Sequence, residues 1–375
     1  MICMGYFNFY GGKIWKENRL TKNNLFCIEV ENEINRDIYL EESDIITPGL
    51  YDIHCHLWGQ KDAVTNHELL SVSFEHMLST GVIGCSDAGS YGYNDWIQAD
   101  RMWSLRPDSI KSWINIFPDG LIYHNRPFNF PSADQINKEK LIELYSTHKK
   151  RLLGFKLMQG QSEGSIEKER EWLKLAREVA DMAGTNIMVH ITNSLLDVRE
   201  TLEYMKKGDI ISHAYNNSGC KGKIIDDQGN IFDEVVDARK RGVLFELSQG
   251  RRHFSYKVYQ QAHDIGFEPD FIATDINMTC YRKIPMVDLV YVISKVIAAG
   301  MDKEIALRAA IDNPSKYMKM EKDYKQNLLV LKMVNQPTIY QDTILKELDS
   351  KSICVDWRYH ASYCVYKNHC IFINK

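Results

Sequence analysis

The feature that most limits what this chain can fold into is an alternation that runs through its middle. Short apolar runs of strand length recur at 50–56, 82–88, 112–117, 152–158, 186–191, 209–215, 243–247 and 271–275, separated by longer stretches of helical period. Most of the runs are apolar almost without a break until their last residues. That suits a strand covered by helices on both faces, which has no wet side on which to place polar residues. The segments between are amphipathic. Residues 169–180 are the clearest, with Trp172, Leu173, Leu175, Ala176 and Val179 on one helical stripe. Repeated strand–helix units give a parallel sheet. Eight strands close a barrel, and a doubly wound open sheet fits the same alternation, so the pattern alone leaves both open.

Length narrows the organisation. A barrel of this kind takes about 250 residues, and the chain has 375. The surplus lies at the two ends and is β-rich. Residues 6–10, 25–30 and 37–40 form short apolar or alternating runs broken by Gly11-Gly12 and Asn23-Asn24. Residues 327–334, 352–357 and 363–373 repeat that texture after Met320. Lys+Arg is 46 against Asp+Glu 50, a net charge of −4, which argues against a broad surface for nucleic acid. The most apolar helical stretch, 289–301, is interrupted by Lys295 and falls short of the roughly 20 apolar residues of a membrane span. The first residues lack a basic n-region, so no signal peptide is expected. Nine scattered cysteines with no Cys-x-x-Cys pair read as reduced thiols, and a cytoplasmic location follows as an expectation.

The chemistry sits at the ends of the runs. The first ends in Asp52-Ile-His54-Cys-His56, and strand alternation sends His54 and His56 to one face. Cys55 points the other way, as a packing residue. The fourth run carries Lys156 near its end, an expensive residue in a buried strand unless paired or modified. Taken alone it could be a snorkelling or salt-bridged lysine. The fifth, sixth and eighth runs end in His190, His213 and Asp275, each unremarkable alone as a satisfied polar terminus. Jointly they differ, because a closed barrel brings those ends to one mouth, where barrel active sites lie. Imidazoles with a carboxylate suit zinc or a similar divalent ion.

This pattern resembles the amidohydrolase superfamily of metal-dependent hydrolases, and within it the dihydroorotase-like amidohydrolase/deacetylase group. The likeness is carried by Ile46-Thr-Pro-Gly-Leu-Tyr-Asp-Ile-His-Cys-His, Gly84-Cys-Ser-Asp-Ala-Gly-Ser, Gly154-Phe-Lys, Ile187-Met-Val-His, Gly208-Asp-Ile-Ile-Ser-His, Ala273-Thr-Asp and Asp312-Asn-Pro-Ser315. The resemblance implies a (β/α)8 TIM barrel over 48–320, with a small β-sandwich domain formed from both chain termini, 1–47 and 321–375. It implies two divalent ions, zinc first with manganese or iron as alternatives. His54, His56 and Asp275 hold one, His190 and His213 the other, and Lys156 bridges them as a CO2-derived carbamate. It further implies hydrolysis of an amide or ester, with Asp275 moving the proton from water to the leaving group.

Substrate contacts are expected in the mouth loops: Ser90 after the second strand, Asn216 after the sixth, and Gln249, Arg251 and Arg252 after the seventh, where an arginine can pair with a carboxylate. Ser248-Gln249 stands where the group has Gly-His before Gly250, so substrate preference here can differ without loss of a metal ligand. His253 is the other mouth-loop histidine and its role stays open. His67, His76, His124, His148, His263, His360 and His369 read as surface or packing residues. Leu57-Trp58-Gly59-Gln60 lacks the arginine and asparagine pattern of a dihydroorotase, the rival cyclic-amide hydrolase. A catalytically idle scaffold barrel is the other rival, against which the complete ligand set speaks. The expected partner is a small-molecule substrate, with no nucleic acid, no membrane, and a homo-oligomer as a further possibility.

Overall fold

The computed structural model describes residues 4–32, 34–57, 72–121, 130–160, 165–218, 221–277, 280–281, 288–343 and 351–373. The chain opens with four strands, β1 (Gly5–Lys16), β2 (Arg19–Lys22), β3 (Leu25–Val30) and β4 (Arg36–Thr47). The eight apolar runs follow as β5 (Leu50–Cys55), β6 (Val82–Ala88), β7 (Ile110–Asn115), β8 (Leu152–Met158), β9 (Asn186–His190), β10 (Ile210–Ser212), β11 (Leu244–Ser248) and β12 (Phe271–Ala273). They pair in chain order in one eight-stranded sheet, every pair parallel. The two ends of the sheet meet. Asp275 N donates to His54 O at 2.7 Å, His56 N donates to Ile276 O at 2.9 Å, and Cys55 bridges Ile276 in parallel. The alternation therefore resolves to the barrel and not to the open sheet.

The described helices are α1 (Phe74–Ser79), α2 (Trp96–Trp103), α3 (Lys138–Thr147), α4 (Ile166–Ala183), α5 (Val198–Glu203), α6 (Asp233–Lys240), α7 (Tyr256–Asp264), α8 (Leu289–Ala298), α9 (Lys303–Leu307) and α10 (Asn313–Tyr317). They fill the intervals between strands. In α4 the Ser165 side chain caps the start by accepting from Lys168 N, and Gly184 ends it in the left-handed region at φ +66°. Its stripe buries Trp172 completely against Phe117, with ring centroids 4.8 Å apart. A five-residue π-turn, Arg308–Asp312, lies between α9 and α10.

The chain closes with β13 (Leu328–Val334), β14 (Thr338–Gln341), β15 (Ser352–Val355), β16 (Arg358–Tyr366) and β17 (His369–Ile373). A seven-stranded sheet takes β1–β4 from one end of the chain and β13, β16 and β17 from the other. Its two faces go to different cores. On β13, Leu328 and Val330 join Phe7, Phe9 and Ile46 in a cluster of the sheet's own. Leu329 and Leu331, with Trp15 and Ile45, join the barrel's cluster. That period of two, with both faces buried, is why the run Leu-Leu-Val-Leu is unbroken. The sheet also folds onto itself. β1 and β16 lie three strand spacings apart, about 14 Å in a flat sheet, yet the Phe9 and Tyr363 ring centroids are 5.5 Å apart.

Candidate active site

The site forms where the strands end. His54 and His56 leave β5 on one face, with ring centroids 5.6 Å apart. Asp275 follows β12 at φ +52°, and His213 follows β10 at φ +61°. Those left-handed turns, rare outside glycine, take both residues off the ladder. Ligand atoms from His54, His56 and Asp275 lie within 4.8 Å of one another, as do those from His190, His213 and His253, and those from His54, His213 and Glu246. All of these residues except Glu246 line a cavity of about 290 Å³ that also takes in Lys156, Leu121, Met158, Asn193, Asn277, Arg251 and Arg252.

Each imidazole is held from behind. His54 Nδ1 meets Glu246 Oε1 at 3.0 Å and its Nε2 lies 3.4 Å from Asp275 Oδ1. His56 Nδ1 meets Ser90 Oγ at 2.8 Å and its Nε2 meets Asp275 Oδ1 at 3.0 Å. Ser90 Oγ donates in turn to Asp87 Oδ2 at 2.6 Å. His213 Nδ1 meets Ser248 O at 3.3 Å, and its Nε2 is 4.0 Å from Asp275 Oδ2. His190 Nε2 meets Thr192 O at 3.2 Å. Such outer partners fix the orientation of a metal-binding ring.

Burial, reinforced by Lys156, pushes the His54 imidazole well below its ordinary value, and burial with His253 does the same for His213. Both rings are thus kept neutral, the form that ligates. Burial pushes Asp275 up, but the imidazoles of His54 and His56 outweigh it and hold the carboxyl well below the usual range. Burial raises Glu246 to about 7 against the opposing pull of Lys156.

Lys156 is 2% exposed, and among the described residues no carboxylate lies within 4.0 Å of it. Its Nζ donates to Ser212 Oγ at 3.4 Å, and burial lowers the amine to about 8. Two glycines give these groups room. A Cβ on Gly89 would come within 2.7 Å of the Lys156 side chain. One on Gly250, at φ +46°, would come within 2.2 Å of Asp275 Oδ2. The donor set is nitrogen- and oxygen-rich, with His54 and His213 held neutral and Asp275 anionic, and so fits divalent ions.

The structure brings His54, His56, Lys156, His190, His213 and Asp275 to one cavity, with Arg251 and Arg252 exposed at its rim. The other expected substrate contacts sit elsewhere. Ser90 is packed behind His56. Asn216 is buried, its Nδ2 donating to His213 O at 2.8 Å and Gly222 O at 3.0 Å. Gln249 is buried beneath the rim loop. Cys55 faces away from the site and donates to Ser86 O at 3.3 Å. Of the remaining histidines, His76, His148, His263, His360 and His369 lie off the cavity. His67, His124 and the segment 58–60 fall outside the described residues. Sequence reasoning missed Glu246 and Asp87, charged residues inside apolar runs, where a lone carboxylate in a buried strand was the available signal.

No family model matches the chain. A protein of Brucella anthropi named deacetylase is 26% identical over 282 residues, 73% of this chain and 66% of that one. A deacetylase of Agrobacterium fabrum is 25% identical over 283 residues, 74% of this chain and 66% of that one. The chain thus matches just under two thirds of the length of these relatives. A solved dihydroorotase structure superposes with a TM-score of 0.79 over 98% of this chain and 99% of its own, at 19% identity, a likeness of fold.

Proposed function

We propose that this chain, related in sequence to deacetylases and in fold to a dihydroorotase of the amidohydrolase superfamily, is a metal-dependent hydrolase that removes an acyl group from a small acyl-substituted acid. One observation carries the reading. Four imidazoles from the strand ends, a buried lysine and an aspartate converge on a single cavity whose rim bears two arginines. In this reading His54, His56 and Asp275 would hold one divalent ion and His190 and His213 the other. Lys156, whose neutral Nζ can take up CO2 with loss of a proton to give a carbamate, would supply a further anionic ligand. Bound ions of this kind supply an acidified water and a polarised carbonyl near neutral pH.

The chain's own groups do the rest. Glu246, and Ser90 backed by Asp87, hold the His54 and His56 rings so that each Nε2 faces the cavity. Asp275, anionic and 5% exposed, accepts a proton from the attacking water and returns it to the departing amine or alkoxide. Arg251 or Arg252 pairs with the substrate carboxylate. A cavity of about 290 Å³ favours a short acyl group such as acetyl.

The test uses the full chain from cells grown with added zinc. Metal analysis should give two equivalents, and acetate should be released from N-acetyl amino acids or acetylated 2-hydroxy acids. Fewer than one equivalent of metal would sink the hydrolase reading. Turnover confined to cyclic amides would replace deacylation by ring opening.

A further inference from the structure

A fifth imidazole reaches the cavity from the loop after β11. Gly250 N donates to Thr274 O at 2.9 Å, and His253 N donates back to Gln249 O at 3.2 Å, which turns the loop inward. His253 ends stacked on His213, with ring centroids 4.0 Å apart, and edge-on to His190 at 5.2 Å. Thr192 Oγ1 holds its Nδ1 at 2.9 Å. Its Nε2 lies 3.5 Å from Asp275 Oδ2.

This division of the ring is that of His54, His56 and His213. In each, Nδ1 is tied to a partner behind the ring and Nε2 is turned to Asp275. A histidine placed only for packing has no reason to repeat it. Thr192 serves two of the rings at once, its carbonyl meeting His190 and its hydroxyl meeting His253. The ligand nitrogens of His190, His213 and His253 all fall within 4.8 Å of one another. With the carbamate of Lys156, three imidazoles would give the ion four protein ligands, and a water would complete the five that a catalytic zinc ion can reach.

We propose that His253 is a metal ligand, the third imidazole of the position formed by His190 and His213. The inference rests on the two-metal reading above and deepens it. The exposed arginines on the same loop then sit beside a fixed anchor, and the loop is tied to the metal on its cavity side.

The experiment compares the full chain with His253→Phe, which keeps a ring to stack on His213 but no ligand, and with Thr192→Val, which removes the hydroxyl behind His253. Zn²⁺ affinity is read by competition with a chromophoric chelator, stoichiometry by elemental analysis, and ligand change by the visible spectrum of the Co²⁺-loaded protein. Circular dichroism confirms that each variant is folded. The expected result is two equivalents in the parent and, in His253→Phe, a weakening of one of them by tenfold or more with an altered Co²⁺ spectrum. Thr192→Val should give a smaller loss at the same position, restored by Thr192→Ser. Two equivalents at unchanged affinity with an unchanged spectrum in His253→Phe would overturn the role of His253 and leave the hydrolase reading standing. Fewer than one equivalent in the parent would overturn both.

Discussion

Asp275 and His213 hold the left-handed region without being glycine, at φ +52° and +61°. Each such residue costs on the order of 1–3 kcal/mol and persists only where its surroundings fix it. The fixing is visible for Asp275, whose N–H donates to His54 O at 2.7 Å across the barrel seam, so the residue that closes the barrel also carries the central carboxylate. Asp275→Asn tests the proton role once bound metal is counted alongside, since Asp275 is also a proposed ligand, and asparagine tolerates the same backbone and keeps the shape. The variant should melt within a few degrees of the parent while turnover falls by about 10²–10⁴, the usual worth of a positioned acid–base group. Retained turnover in an acetate-release assay would remove Asp275 from that role. The six principal site residues were legible because each stands at the polar end of an apolar run, a position with one structural meaning in a barrel. Glu246 and Asp87 were not, since Glu246 acts on His54 from another strand and Asp87 acts through its neighbour Ser90 on His56, and no local pattern records a contact across a barrel.

At the scale of elements, the eight strands fall where the apolar runs do, with telling offsets. β10 and β12 end at Ser212 and Ala273, short of the runs that contain them, because the chain turns left-handed at His213 and at Asp275. β7 begins two residues earlier than its run, at Ile110. The stretch 363–373 is the end of β16, a turn and β17, with Lys367 and Asn368 at φ +51° and +65°. That is the geometry of a tight hairpin without the glycine that usually announces it. Least legible was the segment after β14, which holds the rim loop in place. Thr343 Oγ1 accepts from Phe254 N at 2.9 Å, Asp342 Oδ1 accepts from Tyr256 N at 2.6 Å, and Lys295 Nζ donates to Gln341 O at 2.6 Å. Thr343→Val would leave the Phe254 N–H buried without its partner, at about 1–3 kcal/mol. The loop bearing Arg251, Arg252 and His253 should loosen, raising KM more than it lowers kcat. Thr343→Ser should restore both, and an unchanged KM in the valine variant would free the loop from this strap.

On the scale of the whole molecule, the terminal sheet and the barrel share material that neither can give up. Trp15 on β1 is 2% exposed and sits in the barrel's apolar cluster. Its Nε1 donates to Asp312 Oδ2 at 2.7 Å, at the end of the π-turn that follows α9. Lys322 pairs with the same carboxylate, and the Tyr324 hydroxyl donates to Trp15 O. Leu20 N donates to Glu304 Oε1 at 2.8 Å, and Tyr51 OH donates to Glu321 O at 2.8 Å. These ties run between strands from the start of the chain, the first barrel strand, the helical segment after the last barrel strand, and the residues that follow it. A sheet with one face in its own core and the other in the barrel's core cannot peel away without exposing both, so the two should unfold in one step. Denaturant unfolding followed by circular dichroism and by loss of bound metal should give a single coincident midpoint. Trp15→Phe keeps most of the apolar contact but leaves Asp312 without its indole donor, at a cost of about 1–3 kcal/mol. It should move both signals together to lower denaturant. A variant in which the sheet melts first, leaving a metal-loaded barrel, would show that the two cores are separate, and the shared face of β4 and β13 would then be a contact rather than a common core.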